Sequence, residues 1–221
     1  MARMARVIAP GYPHHITQRG NRRQQTFFCD DDYHAYIDLT AEWCQRYGVE
    51  IWAWCLMPNH VHLIAVPSTE SGLARAVGEA HRRYTLRINS REQWRGHLWQ
   101  ERFASCPMDE SYLLAAARYI EMNPVAAQLA SRPADYPWSS ASAHLAGVDD
   151  RLVKVEPLLA LVPDWAKFLQ LTSPEEVETL QRHERTGRPL GSDSFIDDLE
   201  TALGRILRPQ KPGPKRSLDG G

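Results

Sequence analysis

Two histidines sit two residues apart in the run Cys55-Leu56-Met57-Pro58-Asn59-His60-Val61-His62-Leu63-Ile64-Ala65-Val66-Pro67. The run reads as a strand, in which alternate side chains share a face. His60 and His62 then point the same way, about 7 Å apart, close enough to hold one metal ion. On spacing alone, two surface histidines on an exposed strand account for the run equally well. A metal centre built on two histidines still needs a third oxygen or nitrogen donor, with positions open to water or substrate. The stretch Arg118-Tyr119-Ile120-Glu121-Met122-Asn123-Pro124 offers one. Tyr119 and Asn123 are four apart and share one helix face. Asn123 could lend a carbonyl oxygen while Tyr119 presents its phenol beside it. A half-buried helix tyrosine before an Asn-Pro terminator explains the same residues on local grounds.

The elements that must carry these residues follow from periodicity. Residues 11–19 read as a first strand, followed by a Gly20-Asn21 turn and a polar loop through Arg22 and Arg23. Asp30 or Asp31 caps a helix to about Tyr47, with Leu39, Trp43 and Tyr47 as its stripe and Gly48 as its end. A second strand is expected over 49–55, where Val49, Ile51, Ala53 and Cys55 alternate with Glu50, Trp52 and Trp54. Pro58-Asn59 makes a tight connection to a third strand over 60–66. Ser68 or Thr69 caps a long helix to about Ser90, apolar at Leu73, Val77, Ala80, Tyr84 and Ile88 and studded with arginines. A fourth strand is expected over 97–105, without a clean two-sided pattern. Asp109 opens another helix, which Pro124 interrupts or ends.

The first six elements give the βαββαβ order of a ferredoxin-like α+β fold. Its antiparallel sheet, with helices on one face, leaves the other face open to a ligand. A short helix to about Leu145 and Gly147 closes this unit, taken as residues 1–147. Residues 148–208 form a helical extension, with helices over 155–170 and 174–185 and one from Ser192 or Asp193 to about Leu207. Residues 209–221, rich in Pro, Gly and Lys, are expected to be a disordered basic tail.

The 221 residues are 43% hydrophobic, enough for a core, and the formal net charge of −1 identifies no partner. Charge is nonetheless segregated. Up to Cys29 there are five arginines and no acid, and residues 204–217 repeat the pattern with Arg205, Arg208, Lys211, Lys215 and Arg216. Such clustering suits a polyanion, although a solvated basic tail would look the same. The four cysteines have no C-x-x-C spacing, and no stretch reaches the ~18 apolar residues of a membrane span. The expectation is a soluble cytoplasmic protein without a membrane segment.

Met57-Pro58-Asn59-His60-Val61-His62-Leu63 resembles the HUH motif of the single-tyrosine transposases, an insertion-sequence-200-like superfamily. Tyr119-Ile120-Glu121-Met122-Asn123-Pro124-Val125-Ala126-Ala127 resembles the tyrosine-helix motif of the same family. The fuller resemblance is to the REP-associated tyrosine transposases of bacteria. It takes in residues 12–23, Tyr136-Pro137-Trp138-Ser139-Ser140, and Thr186-Gly187-Arg188-Pro189-Leu190-Gly191 followed by Phe195. It is strong over residues 6–146 and weaker beyond. Ala126 departs from it, standing where the family often has a basic residue, which puts a phosphate contact in doubt.

The resemblance implies metal-dependent cleavage and rejoining of single-stranded, hairpin-forming DNA. Tyr119 would be the nucleophile, forming a 5′-phosphotyrosine link, and His60, His62 and Asn123 would hold Mg²⁺ or Mn²⁺. Arg19, Arg22, Arg23, Arg82, Arg83, Arg87, Arg188, Lys211, Lys215 and Arg216 are the candidate DNA contacts, with Trp52 or Trp54 as a base-stacking surface. Glu121, two positions from Tyr119, should face elsewhere on the helix. The resemblance and the extension favour a monomer over a dimer with exchanged tyrosine helices. Two other readings remain open at this point: a hairpin-binding protein without cleavage, and a zinc hydrolase or structural metal protein using the same H-x-H.

Overall fold

The computed structural model describes residues 6–171 and 174–208. Strands β1 (His14–Arg19), β2 (Val49–Met57), β3 (His60–Pro67) and β4 (Ala104–Pro107) form one antiparallel sheet in the order β2-β3-β1-β4. Helix α1 (Asp30–Arg46) joins β1 to β2, and α2 (Gly72–Glu92) joins β3 to β4. This is the ferredoxin-like α+β arrangement expected from the element order.

The first face of the sheet is apolar because Ile16, Trp54, Leu56, Val61, Leu63 and Ala65 all point to it. Tyr36 and Cys44 of α1, and Leu73, Val77, Tyr84 and Ile88 of α2, pack there. The second face carries more than the sequence pattern suggests. Helix α3 (Glu110–Ala126) lies on it, burying Leu113, Ala116, Ala117 and Ile120 against Ala53, Cys55, Ile64 and Cys106. After α4 (Ala141–Ala146), the short helices α5 (Glu156–Leu161) and α6 (Trp165–Leu169) and then α7 (Pro174–Thr186) extend the same layer through Leu158, Trp165, Phe168 and Leu180. Helix α8 (Asp193–Leu203) packs Phe195 and Leu199 on Val7 and Ala9. The helices thus occupy both faces, and the second face is open only at one end, as a cleft.

Four local departures have physical causes. The alternation expected along β2 breaks at Trp52: Ile51 pairs with Ala65 but Ala53 with Ile64. A bulge inserts one residue and flips the rest of the strand, so Val49 and Ile51 feed the first core and Ala53 and Cys55 the second. The fourth strand begins at Ala104 rather than 97. Residues 98–103 instead tuck over the first core, burying Leu98, Trp99 and Phe103, and Glu101 at φ 56° ends any extended run. Helix α3 continues through Pro124, which is buried, to Ala126. Packing overrides the local bias against helix before proline. The helix expected over 155–170 is split into α5 and α6 around Pro163.

Candidate active site

The register of β1 and β3 builds the site. Arg19 lies opposite His60, and Thr17 opposite His62, so all four share the second face. His62 is 1% exposed and His60 partly exposed. Their ring centroids are 4.9 Å apart with planes at 79°, so the two rings converge from the spacing of their backbone positions. Tyr119 descends from α3 and stands edge-on to His62, with centroids 5.4 Å apart at 87°. His60, His62, Tyr119, Thr17, Arg19 and Arg23 line one cleft of about 420 Å³.

Each imidazole is held by one nitrogen. The side-chain amide of Asn59 donates to the Arg23 carbonyl at 3.0 Å, which turns its oxygen toward His60 Nδ1 at 2.7 Å. That oxygen can only accept, so His60 carries its proton on Nδ1 and its lone pair on Nε2. His62 Nδ1 meets His15 Nε2 at 3.1 Å. Burial, with Arg19 nearby, lowers the pKa of His60 to about 4. Burial, with His60, His15 and Arg19 close by, holds His62 well below the ordinary histidine value. Both rings are therefore neutral at physiological pH, the form that binds a metal.

The donor set fits a divalent metal, since two neutral imidazoles converge on one side of a polar cleft. Among the described residues no group of three or more His, Cys, Asp and Glu side chains could hold a metal ion. Asn123 is the third donor that the sequence offered. It lines a neighbouring groove of about 480 Å³, which Tyr119 and Gln181 share with the histidine cleft. The structure thus gathers His60, His62, Tyr119, Arg19 and Arg23 in one cleft and leaves Asn123 in the groove beside it.

The family model for "Transposase IS200 like" matches residues 10–123, more than half of the chain. The chain belongs to the IS200-like transposase family. Among solved structures, the REP-associated tyrosine transposase bound to a REP hairpin shares the fold. Its TM-score is 0.57 at 22% identity, over 70% of this chain and 92% of that one. A crystal structure from Deinococcus radiodurans R1 gives TM-score 0.39 at 21% identity, over 54% of this chain and 96% of that one, too low to carry an argument. No curated protein matches the chain.

The remaining sequence-predicted contacts of this IS200-like chain are scattered. Arg22 is exposed on the loop after β1, where Gly20 lets the backbone close tightly: a Cβ there would stand 2.3 Å from the Gln24 carbonyl oxygen. Arg82, Arg83 and Arg87 lie on α2, beyond the opposite face of the sheet. Arg82 pairs with Glu79 at 2.7 Å, and Arg83 stands over Trp43 at 4.6 Å. The Arg188 side chain donates to the Leu207 carbonyl, and its own carbonyl accepts from the Cys106 thiol at 2.6 Å. Lys211, Lys215, Arg216 and the expected disordered tail lie outside the described residues. Trp54 is 3% exposed and donates to Asp150, and Trp52 donates to Glu50. Phe28 and Trp94 are exposed aromatics, edge to face at 5.7 Å and with Arg91 over Phe28.

Several site residues are invisible to spacing arguments. His15 and Gln181 enter through strand register and the packing of α7, which a linear pattern does not carry. Asn59 had a signal: it directly precedes the first histidine. Glu121 does face away from the cleft, as expected, and is fully buried. It accepts from Ser140 Oγ at 2.6 Å and Trp165 Nε1 at 2.8 Å, and pairs with His144 Nδ1 at 2.6 Å. That cluster pins α3 to α4 and α6.

Proposed function

We propose that this chain cleaves and rejoins single-stranded DNA beside hairpin-forming repeats, using Tyr119 as nucleophile. The observation that carries the reading is the convergence of Tyr119, His60 and His62 in a cleft flanked by Arg19 and Arg23. Family membership supports transposase chemistry. The REP hairpin bound by the fold relative supports the substrate class.

Arg19 and Arg23 bind the DNA backbone and draw a phosphate into the cleft. The Tyr119 phenolic oxygen attacks phosphorus in line, the bond to the 3′ oxygen breaks, and a 5′-phosphotyrosine forms. The phenol gives up a proton as the leaving 3′ oxygen gains one. His60, His62 and Asn123 would hold a divalent cation, Mg²⁺ or Mn²⁺, with imidazole nitrogens better matched to Mn²⁺. Once bound, such an ion supplies charge neutralisation at the scissile phosphate and helps a weakly nucleophilic phenol to react. The phosphodiester energy stays in the tyrosine link, so the 3′-OH of another strand end reverses the step and joins strands.

Phe28 and Trp94 offer unpaired bases a stacking surface, and the Lys211, Lys215 and Arg216 tail adds phosphate contacts. Residues 1–147 form the nuclease unit and 148–208 its helical extension. The protein works as a monomer with its own tyrosine, in the cytoplasm at the nucleoid. Incubation with labelled hairpin DNA and Mn²⁺ should give an SDS-stable adduct that Tyr119→Phe abolishes while hairpin binding stays nearly intact. Binding without any adduct would reduce the function to hairpin recognition. An adduct that survives Tyr119→Phe would overturn the tyrosine assignment.

A further inference from the structure

His15 is neither a proposed ligand nor the nucleophile, yet it is buried against both. It is 3% exposed, and its ring lies nearly parallel to that of His62, with centroids 5.3 Å apart at 18°. Tyr119 stands edge-on to the same ring at 6.2 Å and 82°. His15 pairs with Ile64 across β1 and β3, which makes it the diagonal neighbour of His62 on the second face. Only one ring nitrogen of each partner takes part in their contact: His15 Nε2 and His62 Nδ1, 3.1 Å apart.

A hydrogen bond between two neutral imidazoles needs one N–H and one lone pair. If His15 donates, His62 spends its Nδ1 lone pair on the contact and carries its proton on Nε2, where it cannot ligate. If His62 donates, His15 accepts through Nε2 with its own proton on Nδ1, and His62 keeps the Nε2 lone pair. Only the second arrangement leaves His62 a ligand. The neighbouring ring is set the same way, because the Asn59 oxygen fixes His60 as the Nδ1–H form. Partners that fix a ligand's tautomer in this way are a general feature of histidine metal sites.

We propose that His15 is a positioning residue that accepts from His62 Nδ1–H and so presents the His62 Nε2 lone pair to the metal position beside Tyr119. The inference rests on the metal-dependent reading of the site. Its test separates the two. Long-range ¹⁵N–¹H NMR of the metal-free protein reads the ring protons directly, and His62 should appear as the Nδ1–H tautomer. A His62 signal in the Nε2–H form overturns the inference.

Mn²⁺ titration then compares variants. His15→Phe keeps a flat ring without an acceptor and should weaken Mn²⁺ binding roughly ten- to a hundredfold. His15→Gln, whose amide oxygen can accept from His62, should recover most of that loss and restore the tautomer. Unchanged Mn²⁺ affinity in His15→Phe, or equal losses in both variants that follow their melting temperatures, shows a merely structural residue and overturns the proposal. A wild-type chain that does not bind Mn²⁺ overturns the metal reading itself, a result distinct from the tautomer signal, which is read without metal.

Discussion

At the scale of single residues, the cleft is a set of side chains each held by a named partner. Asn59 orients His60, His15 meets His62, and the His62 ring faces the edge-on phenol of Tyr119. A change that removes an orienting contact should therefore act on the cleft without disturbing the core. Asn59→Ala deletes the acceptor for His60 Nδ1–H and the bond to the Arg23 carbonyl. It should lower Mn²⁺ affinity about tenfold, as loss of an outer-shell partner does, with little change in melting temperature. Isothermal titration and a thermal melt check both halves, and unchanged Mn²⁺ affinity would contradict the assigned role. That His60 and His62 share one face, and Tyr119 and Asn123 another, was legible from short-range periodicity; that Asn123 opens on the groove beside the histidine cleft was not. His15 and Gln181 were not, because their places depend on how strands and helices far apart in the chain pack together. The arginines of α2 show the converse. Their positive charge is evident in the sequence, but not that α2 covers the opposite face of the sheet.

At the scale of elements, the position of Tyr119 depends on how α3 is fixed. Its start is set by Asp109, which accepts from Tyr112 N at 3.0 Å and from Ser192 N at 2.8 Å, joining the cap to the segment before α8. Asp109→Ala should cost about 0.5–2 kcal/mol in chemical denaturation, the range for loss of a helix N-cap. An unchanged midpoint would show that the cap contributes nothing. Farther along, Glu121 binds Ser140, His144 and Trp165 at once in a dry environment. Glu121→Ala strands those groups and should cost on the order of 3 kcal/mol, or prevent folding at 37 °C. A variant within about 0.5 kcal/mol of wild type, the range of an ordinary surface change, would refute the clamp. The sequence announced α3 and the tyrosine face but implied a break at Pro124. A continuous helix was favoured because burial of its apolar side outweighs one missing N–H. The bulge at Trp52 was equally hidden, since Val49, Ile51, Ala53 and Cys55 alternate in sequence while serving two different cores.

At the scale of the whole molecule, two histidines outside the cleft tie stability to pH. His81 lies in the first core against Tyr36 Oη at 2.8 Å, and burial lowers its pKa to about 3. His14, also held down by burial despite its bond to Tyr12 O, falls to about 4. Above the unfolded value of 6.5, neither state binds the proton and the folded state is at full strength. Below it, the unfolded chain takes up protons that the folded chain refuses. Stability should therefore fall with pH, at up to about 1.4 kcal/mol per pH unit for each histidine, from 6.5 toward the folded values. Urea denaturation at pH 7.5, 6 and 5 checks the slope. His81→Gln should remove one histidine's share of it, since His15, His60 and His62 are lowered by burial too, and an unchanged slope would remove His81 from the account. The ferredoxin-like class was readable from element order. The second helical layer was not, because it forms when the extension packs on α3 and closes all but one end of the face expected to be open.

The central claim is that Tyr119 becomes linked to DNA. Mass spectrometric mapping of the SDS-stable adduct, after nuclease trimming, tests it most directly. A 5′-phosphonucleotide carried on Tyr119, formed only when a divalent metal is present and lost in His62→Ala, is the predicted result. The same adduct on another residue, or strand cleavage without any protein-linked DNA, would contradict it.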